Sequence, residues 1–190
     1  MSKVLYIKDE NFNLDINANE TYEIYHYVIN KSVNVVINLK GLNAKVVYHY
    51  STINFDDNTF KITINHLCSN TISEIYNHGV NVSFKKLVFD VTGYVPKDSF
   101  KCFCNQENQI INLTNGISQI LPNLLINNYD TFSNHAAYIG KFKEDILFYL
   151  MSRGINEQIA TRLLMKSLLL NGGNINEKVT DLFLKKLMEV

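Results

Sequence analysis

Two cysteines, Cys102 and Cys104, stand one residue apart in Lys101-Cys102-Phe103-Cys104. On a strand, residues two apart point to the same face, so the two thiols can meet one shared ligand, and thiolates take zinc or iron. Four-cysteine metal sites show two spaced pairs. The only other cysteine, Cys68, cannot supply the second. The competing reading makes Cys102 and Cys104 small core residues. Histidines are the other candidates. Tyr25-His26-Tyr27 and Tyr48-His49-Tyr50 lie 23 residues apart. No third ligand follows that pattern, so stacked aromatics are the better reading. His66 precedes Cys68 by two residues, without a nucleophile elbow or an orienting carboxylate, and reads as structural. His135 sits in Ser133-Asn134-His135-Ala136-Ala137, at the joint between a strand-rich part and a helical part.

The familiar catalytic constellations are missing. The chain holds no G-x-S-x-G, no Walker lysine loop, no G-x-G-x-x-G and no H-E-x-x-H, and nothing positive points to an enzyme. Of the 190 residues, 46% are hydrophobic and 19% charged, with a formal net charge of zero. That composition builds a core and offers no electrostatic footprint for nucleic acid or an anionic membrane surface. No apolar run approaches the roughly 20 residues of a membrane span. The start, Met1-Ser2-Lys3-Val4-Leu5, lacks a signal-peptide core. Reduced thiols and a cytoplasmic setting are expected.

The elements that must position these residues fall into two groups. Short runs rich in Val, Ile, Tyr and Phe recur from Tyr22 to Ile126, at intervals of about 8–12 residues, as in a sandwich, a barrel or a β-solenoid. Alternation is clear over Phe60–Asn65 and Val80–Phe84. The tight-hairpin dipeptide Asn-Gly occurs only once in this part, at Asn115-Gly116. Chain reversal by hairpins is therefore not the main connection, and a solenoid turning at Asn-rich corners fits better. Residues 1–130 are read as this β core and 131–190 as a helical domain. Lys141–Arg153 sets Phe142, Ile146, Leu147, Tyr149 and Leu150 along one stripe, with Gly154 placed to end the helix. Asn156 reads as the N-cap of a second helix carrying Ile159, Leu163, Leu164 and Leu168. A third is expected over Asn176–Met188.

The segment Asn134-His135-Ala136-Ala137-Tyr138-Ile139-Gly140, followed by Glu144-Asp145-Ile146-Leu147-Phe148-Tyr149-Leu150-Met151-Ser152-Arg153-Gly154-Ile155, closely resembles the C-terminal signature of the SufB/SufD family, the scaffold proteins of SUF iron–sulfur cluster assembly. In SufD-type members the signature looks like C-S-H-G-A-T-x-G, then D-E-x-x-F-Y-L-x-S-R-G-I. Upstream, Gln106-Glu107-Asn108, Ile111-Asn112-Leu113-Thr114, Pro122-Asn123-Leu124-Leu125-Ile126 and Asp130 are similar to the family's Q-x-N-x-x-L-L-L-S…P-x-L-x-I…D. The resemblance is specific from Gln106 to Leu170 and extends back to His66, with Ser73-Glu74-Ile75-Tyr76. It is that of a miniature member.

The resemblance implies a right-handed parallel β-helix followed by a small helical segment. It also implies a SufC-type ATPase docked on the C-terminal helices, where the stripe Ile159, Leu163, Leu164, Leu168 lies. A further implied partner is a SufB-like or identical chain, giving a hetero- or homodimer. His135 falls on the family's histidine associated with cluster assembly, and a neutral imidazole is a good iron ligand. The signature cysteine is Ser133 here, the glutamate after the histidine in SufB-type members is Ala136, and the SufB cysteine aligns near Asn108. A thiolate site therefore does not carry over, and any iron–sulfur cluster is expected to be transient, not stably bound by the isolated chain. The rival reading is a non-SUF β-solenoid or cupin-like binding module whose helices are plain caps.

Overall fold

The computed structural model describes residues 2–170 and, beyond them, Asp181, Phe183, Lys185, Lys186, Met188 and Glu189. The strands are β1 (Lys3–Ile7), β2 (Asn11–Ile16), β3 (Thr21–Ile29), β4 (Val33–Leu39), β5 (Lys45–Asn54), β6 (Asn58–His66), β7 (Ile72–Asn81), β8 (Lys86–Val95), β9 (Cys102–Asn112), β10 (Ile117–Ile126) and β11 (Thr131–Gly140). Odd-numbered strands form one sheet, in the order β1-β3-β5-β7-β9-β11. Even-numbered strands form the other, in the order β10-β8-β6-β4-β2. Every pairing is parallel. Consecutive strands never pair, so the chain winds as a β-solenoid with two strands per coil. The absence of hairpins expected from the turn chemistry holds throughout. The strand system does not stop at residue 130, however: β11 completes the odd-numbered sheet, and the solenoid runs on to Gly140.

Asparagine fixes the corners. Asn19, Asn43, Asn70 and Lys101 have φ of 59°, 58°, 57° and 55°. Each stands just before an odd-numbered strand, where the coil must turn through the left-handed region. Asn enters that region more readily than other L-residues. Lys101 does so without a local side-chain bond to help. Replacing Lys101 with Asn should therefore raise unfolding stability by about 0.5–1 kcal/mol, measured as a shift of the urea midpoint at unchanged slope. An unchanged or lowered midpoint would show that this corner is not strained by lysine. At the opposite corner Asn54, Asn81 and Asn112 are in register. Asn54 Nδ2 donates to Asn81 Oδ1 at 3.2 Å, and Asn81 Nδ2 donates to the Lys85 carbonyl at 2.8 Å. Asn30 Oδ1 accepts from the Phe55 amide at 2.9 Å. Buried amides so paired satisfy the corner's polar groups.

The interior changes character along the axis. In the first coils the inward columns are apolar, with Ile24, Val46, Tyr48, Ile37 and Ile62 all fully buried. Toward the C-terminal end the even-numbered sheet stays apolar while the odd-numbered sheet turns polar. Val46 is followed in its column by Ser73, Cys104 and Ser133; Tyr48 by Ile75, Gln106 and His135; Tyr50 by Asn77, Asn108 and Ala137.

Two helices follow, α1 (Glu144–Ser152) and α2 (Glu157–Leu169). Gly154 ends α1 at φ 84°. Its amide donates to the Met151 carbonyl at 2.9 Å and that of Ile155 to Leu150 at 3.3 Å, the paired bonds of a Schellman stop. The Asn156 side chain accepts from the Ile159 amide at 2.9 Å and caps α2, as its position suggested. α2 lies on the outer face of the odd-numbered sheet. Its Met165 and Leu169 pack with Ile53, Val80 and Ile111, and the Ser51 hydroxyl donates to the Leu169 carbonyl at 2.8 Å. α1 buries none of its residues. The expected third helix falls partly outside the described residues; within it Phe183 is helical and buried against Tyr27.

Candidate functional site

His135 lies on β11, not in a joint after the last strand. It pairs in register with Gln106, whose side chain is fully buried, so the imidazole belongs to an inward-facing column. No coil follows β11, and His135 is exposed at the open end of the solenoid. The imidazole is thus the last rung of an interior column presented to the outside.

Around it the interior is polar and incompletely paired. Ser133 stands opposite Cys104, and Ala137 opposite Asn108. Asn77 Nδ2 donates to Asn108 Oδ1 at 2.7 Å, and Asn108 Nδ2 to the Ala136 carbonyl at 3.4 Å. Three buried oxygens, Asn77 Oδ1, Gln106 Oε1 and Ser133 Oγ, have no hydrogen-bond partner. Such atoms cost free energy when sealed from water, and they lie on the last three strands of the odd-numbered sheet, β7, β9 and β11. The sequence carried a signal for this: polar residues two or four apart (Ser73 and Asn77; Cys104, Gln106 and Asn108; Ser133 and His135) occupy the inward phase of otherwise alternating strands.

The two candidate thiols face inward together, but they do not converge with His135 on one ligand. Cys102 Sγ lies 3.3 Å from Thr71 Oγ1 and 3.6 Å from the Cys68 carbonyl, back at the corner. Cys104 packs against Gly93, where an added Cβ would lie 2.5 Å from Sγ. Burial pushes the Cys104 thiol up, against a smaller opposing effect of the Ser73 hydroxyl. Among the described residues no three His, Cys, Asp or Glu side chains come together as a metal ligand set.

His66 and His26 are structural. The Thr71 hydroxyl donates to the Cys68 carbonyl at 2.9 Å, so it accepts from His66 Nδ1–H at 2.8 Å. His66 Nε2 then accepts from the Ser73 hydroxyl at 2.9 Å. His26 Nε2 donates to the Asp9 carbonyl at 2.9 Å, and Nδ1 accepts from the Tyr48 phenol at 2.6 Å. Burial holds both imidazoles down at about 4. The Tyr-His-Tyr echo does stack, offset by one rung position. Tyr25 faces His49 at 4.9 Å and 9°, while His26 turns inward, edge-on to Tyr50.

The open end is also an apolar surface. β10 pairs only with β8, and β11 only with β9. Neither strand contains Asp, Glu, Lys or Arg. Ile117, Leu121, Leu125, Phe132, Tyr138 and Ile139 are exposed there. The N-terminal edge differs: β1 and β2 are shorter, and Lys3, Asp15 and the intervening Lys8, Asp9 and Glu10 guard it with charge. The candidate helical surface continues from β11. On α1, Ile146, Phe148, Tyr149 and Met151 are exposed. On α2, Ile159 and Leu163 are exposed, at 47% and 45%, whereas Leu164 and Leu168 are half-buried. No described helix is long and apolar enough to cross a membrane.

Comparison with known proteins agrees with this geometry. Residues 10–168, most of the chain, match the family described as SUF system FeS cluster assembly, SufBD core domain. The iron–sulfur cluster assembly protein SufD of Bacillus subtilis is 33% identical over 92 residues, 48% of this chain and 21% of that protein. An iron–sulfur cluster assembly SufBD family protein of Pyrococcus horikoshii is 61% identical over 33 residues, 17% of this chain and 7% of its own length. One from Mycobacterium leprae is 43% identical over 61 residues, 31% of this chain and 16% of its own length. The matched segments thus span well under two thirds of each relative. With a parallel solenoid, the histidine-bearing last strand and a core-domain match over most of its length, the chain belongs to the SufB/SufD family of iron–sulfur cluster assembly proteins.

Proposed function

We propose that this chain is a SufD-like scaffold subunit, not an enzyme, that works in the cytoplasm by pairing end to end with a SufB-like or identical chain and by docking a SufC-like ATPase on its C-terminal helices. The observation that carries the pairing is the bare C-terminal end. Two long edge strands, free of charged side chains, leave one row of backbone donors and acceptors each without a neighbouring strand. Such edges recruit another strand unless they are blocked. A second copy turned about a two-fold axis would extend both sheets and cover the half-open interior around His135.

A lysine in the edge strand should block that pairing at little cost to the monomer, because Ala137 is exposed. For the chain alone, light scattering after size exclusion should give a dimer, or a monomer that dimerises only on adding a SufB-like chain. Ala137→Lys should leave a folded monomer in both cases. A variant that still pairs sends the interface elsewhere and overturns this reading.

The cluster is cargo for such a scaffold. At the open end this chain offers one imidazole, with the nearest thiol, Cys104, opposite Ser133 in the neighbouring column. Anaerobic reconstitution of the isolated chain should therefore leave no stable visible absorption. A stable cluster lost on Cys102→Ser or Cys104→Ser would show that the C-x-C pair is a site after all.

A further inference from the structure

Among the described residues α2 covers part of the outer face of the odd-numbered sheet. α2 lies over Ile53, Val80 and Ile111, near the ends of their strands. Beside it runs a column of rings. Tyr6, Tyr25, His49 and Tyr76 are in register on β1, β3, β5 and β7. Their ring centroids follow one another at 5.4, 4.9 and 5.2 Å, with interplanar angles of 17°, 9° and 13°. The next two rungs place Glu107 and Ala136 in the same column. The ring stack therefore ends at Tyr76, and a carboxylate stands where a fifth ring would be.

A cleft of about 370 Å³ opens at this place, lined by Val47, His49, Glu74, Tyr76, His78 and Glu107. No lysine or arginine lines it. Glu74 is held by Lys45 at 2.6 Å and lies 3.4 Å from the Tyr76 phenol oxygen. Glu107 is exposed and makes no ion pair among the described residues. Burial lowers both imidazoles, that of His78 to about 4, so at neutral pH they are uncharged rings. The cleft thus offers a flat aromatic wall, two neutral imidazoles and one carboxylate without a cation. Among the described residues no three side chains converge as metal ligands, so a metal ion is not its natural occupant.

We propose that this cleft binds a guanidinium group, stacked on the free face of Tyr76 in the place of the missing ring and paired with Glu107. A guanidinium is planar, weakly hydrated and forked. It gains both from an aromatic face and from a carboxylate at its edge, where an ammonium has neither plane nor fork. This site lies on the outer face of the odd-numbered sheet, one strand in from β11, and its argument does not use the scaffold reading.

The test is an NMR titration of the full chain with N-acetyl-arginine amide, following the ring signals of His49, His78 and Tyr76. The expected result is a saturable shift, with N-acetyl-lysine amide binding about tenfold more weakly. Tyr76→Leu and Glu107→Gln should each weaken the arginine probe about fivefold or more. Glu107→Gln sits on the exposed rim and keeps the fold, so a loss there cannot be ascribed to unfolding. Absence of saturation, equal binding of lysine, or binding indifferent to Glu107→Gln on a folded variant overturns the proposal. Agmatine and an Ala-Arg-Ala peptide, titrated in parallel, separate the sources. A peptide that binds more tightly assigns the cleft to a partner's arginine, and a peptide that does not assigns it to a small guanidine.

Discussion

Between pH 6.5 and pH 4 the folded chain should lose about 6 kcal/mol of stability through His26 and His66 alone. Both imidazoles are fully buried, and burial lowers each from 6.5 to about 4. In the native state they stay neutral through this range. In the unfolded chain they take up protons as soon as the pH falls below 6.5. The unfolded state therefore binds more protons, and stability falls with falling pH by about 1.4 kcal/mol per unit for each histidine. The loss begins near 6.5 and is complete once the pH passes the native value near 4. Each full shift is worth about 3 kcal/mol. His78 acts in the same direction. Urea midpoints measured across this range would show the slope, and midpoints that stay flat from pH 6.5 to 5, above the ordinary carboxylate range, would sink the argument. His26→Gln should lower stability at pH 7 by losing its tailored bonds, yet flatten the curve by one histidine's share.

Leu163→Asp should abolish co-purification with a SufC-like ATPase while moving the thermal midpoint little. Leu163 is 45% exposed and Ile159 47%, on the side of α2 turned away from the sheet. The residues that anchor the helix are Ala160, Met165 and Leu169. A carboxylate at Leu163 thus faces water in the free chain and an apolar partner in the complex. Burial of apolar surface is worth about 25 cal/mol per Å², so one leucine at such an interface contributes on the order of 2 kcal/mol, and a buried unpaired charge costs more. Met165→Asp is the contrast and should unfold the helix from the sheet. If Leu163→Asp melts the chain, the stripe is core. If the mutant stays folded and still brings down the ATPase, docking uses another surface, with α1 and its exposed Phe148 and Tyr149 the next to test.

The parallel winding was legible because parallel coils and hairpins need different corners, and the chain supplies the corner residues of the former. Alternation over Phe60–Asn65 gave β6 directly. What escaped was the ends. β11 reads poorly as a strand because its inward phase is Ser133, His135 and Ala137, matching a polar interior instead of an apolar one. β1 and β2 are short and carry one charged residue each, Lys3 and Asp15, so their alternation is brief. Asparagine reads in the sequence as a corner residue, and at the corners Asn54 and Asn81 are in addition buried and bonded to each other across coils. On α2 the period was legible but the side that the sheet covers was not. Periodicity finds an apolar arc, and only the sheet beneath decides that Met165 and Leu169 are covered while Ile159 and Leu163 stay exposed on the side turned away from it. His66 was legible as structural, and its partners Thr71 and Ser73 explain why.

The contrast between the two ends of the solenoid sets a stoichiometry. A body with adhesive surfaces at both ends adds copies head to tail without limit and grows into a fibre. Here Lys3, Asp15 and the charges between them disfavour further strands beside β1 and β2, whereas β10 and β11 carry no charged side chain. Under the proposed pairing such a body offers one end for assembly. Two such bodies joined by their uncharged ends leave charged strands at both outer ends, so the pairing proposed above favours a pair over a fibre.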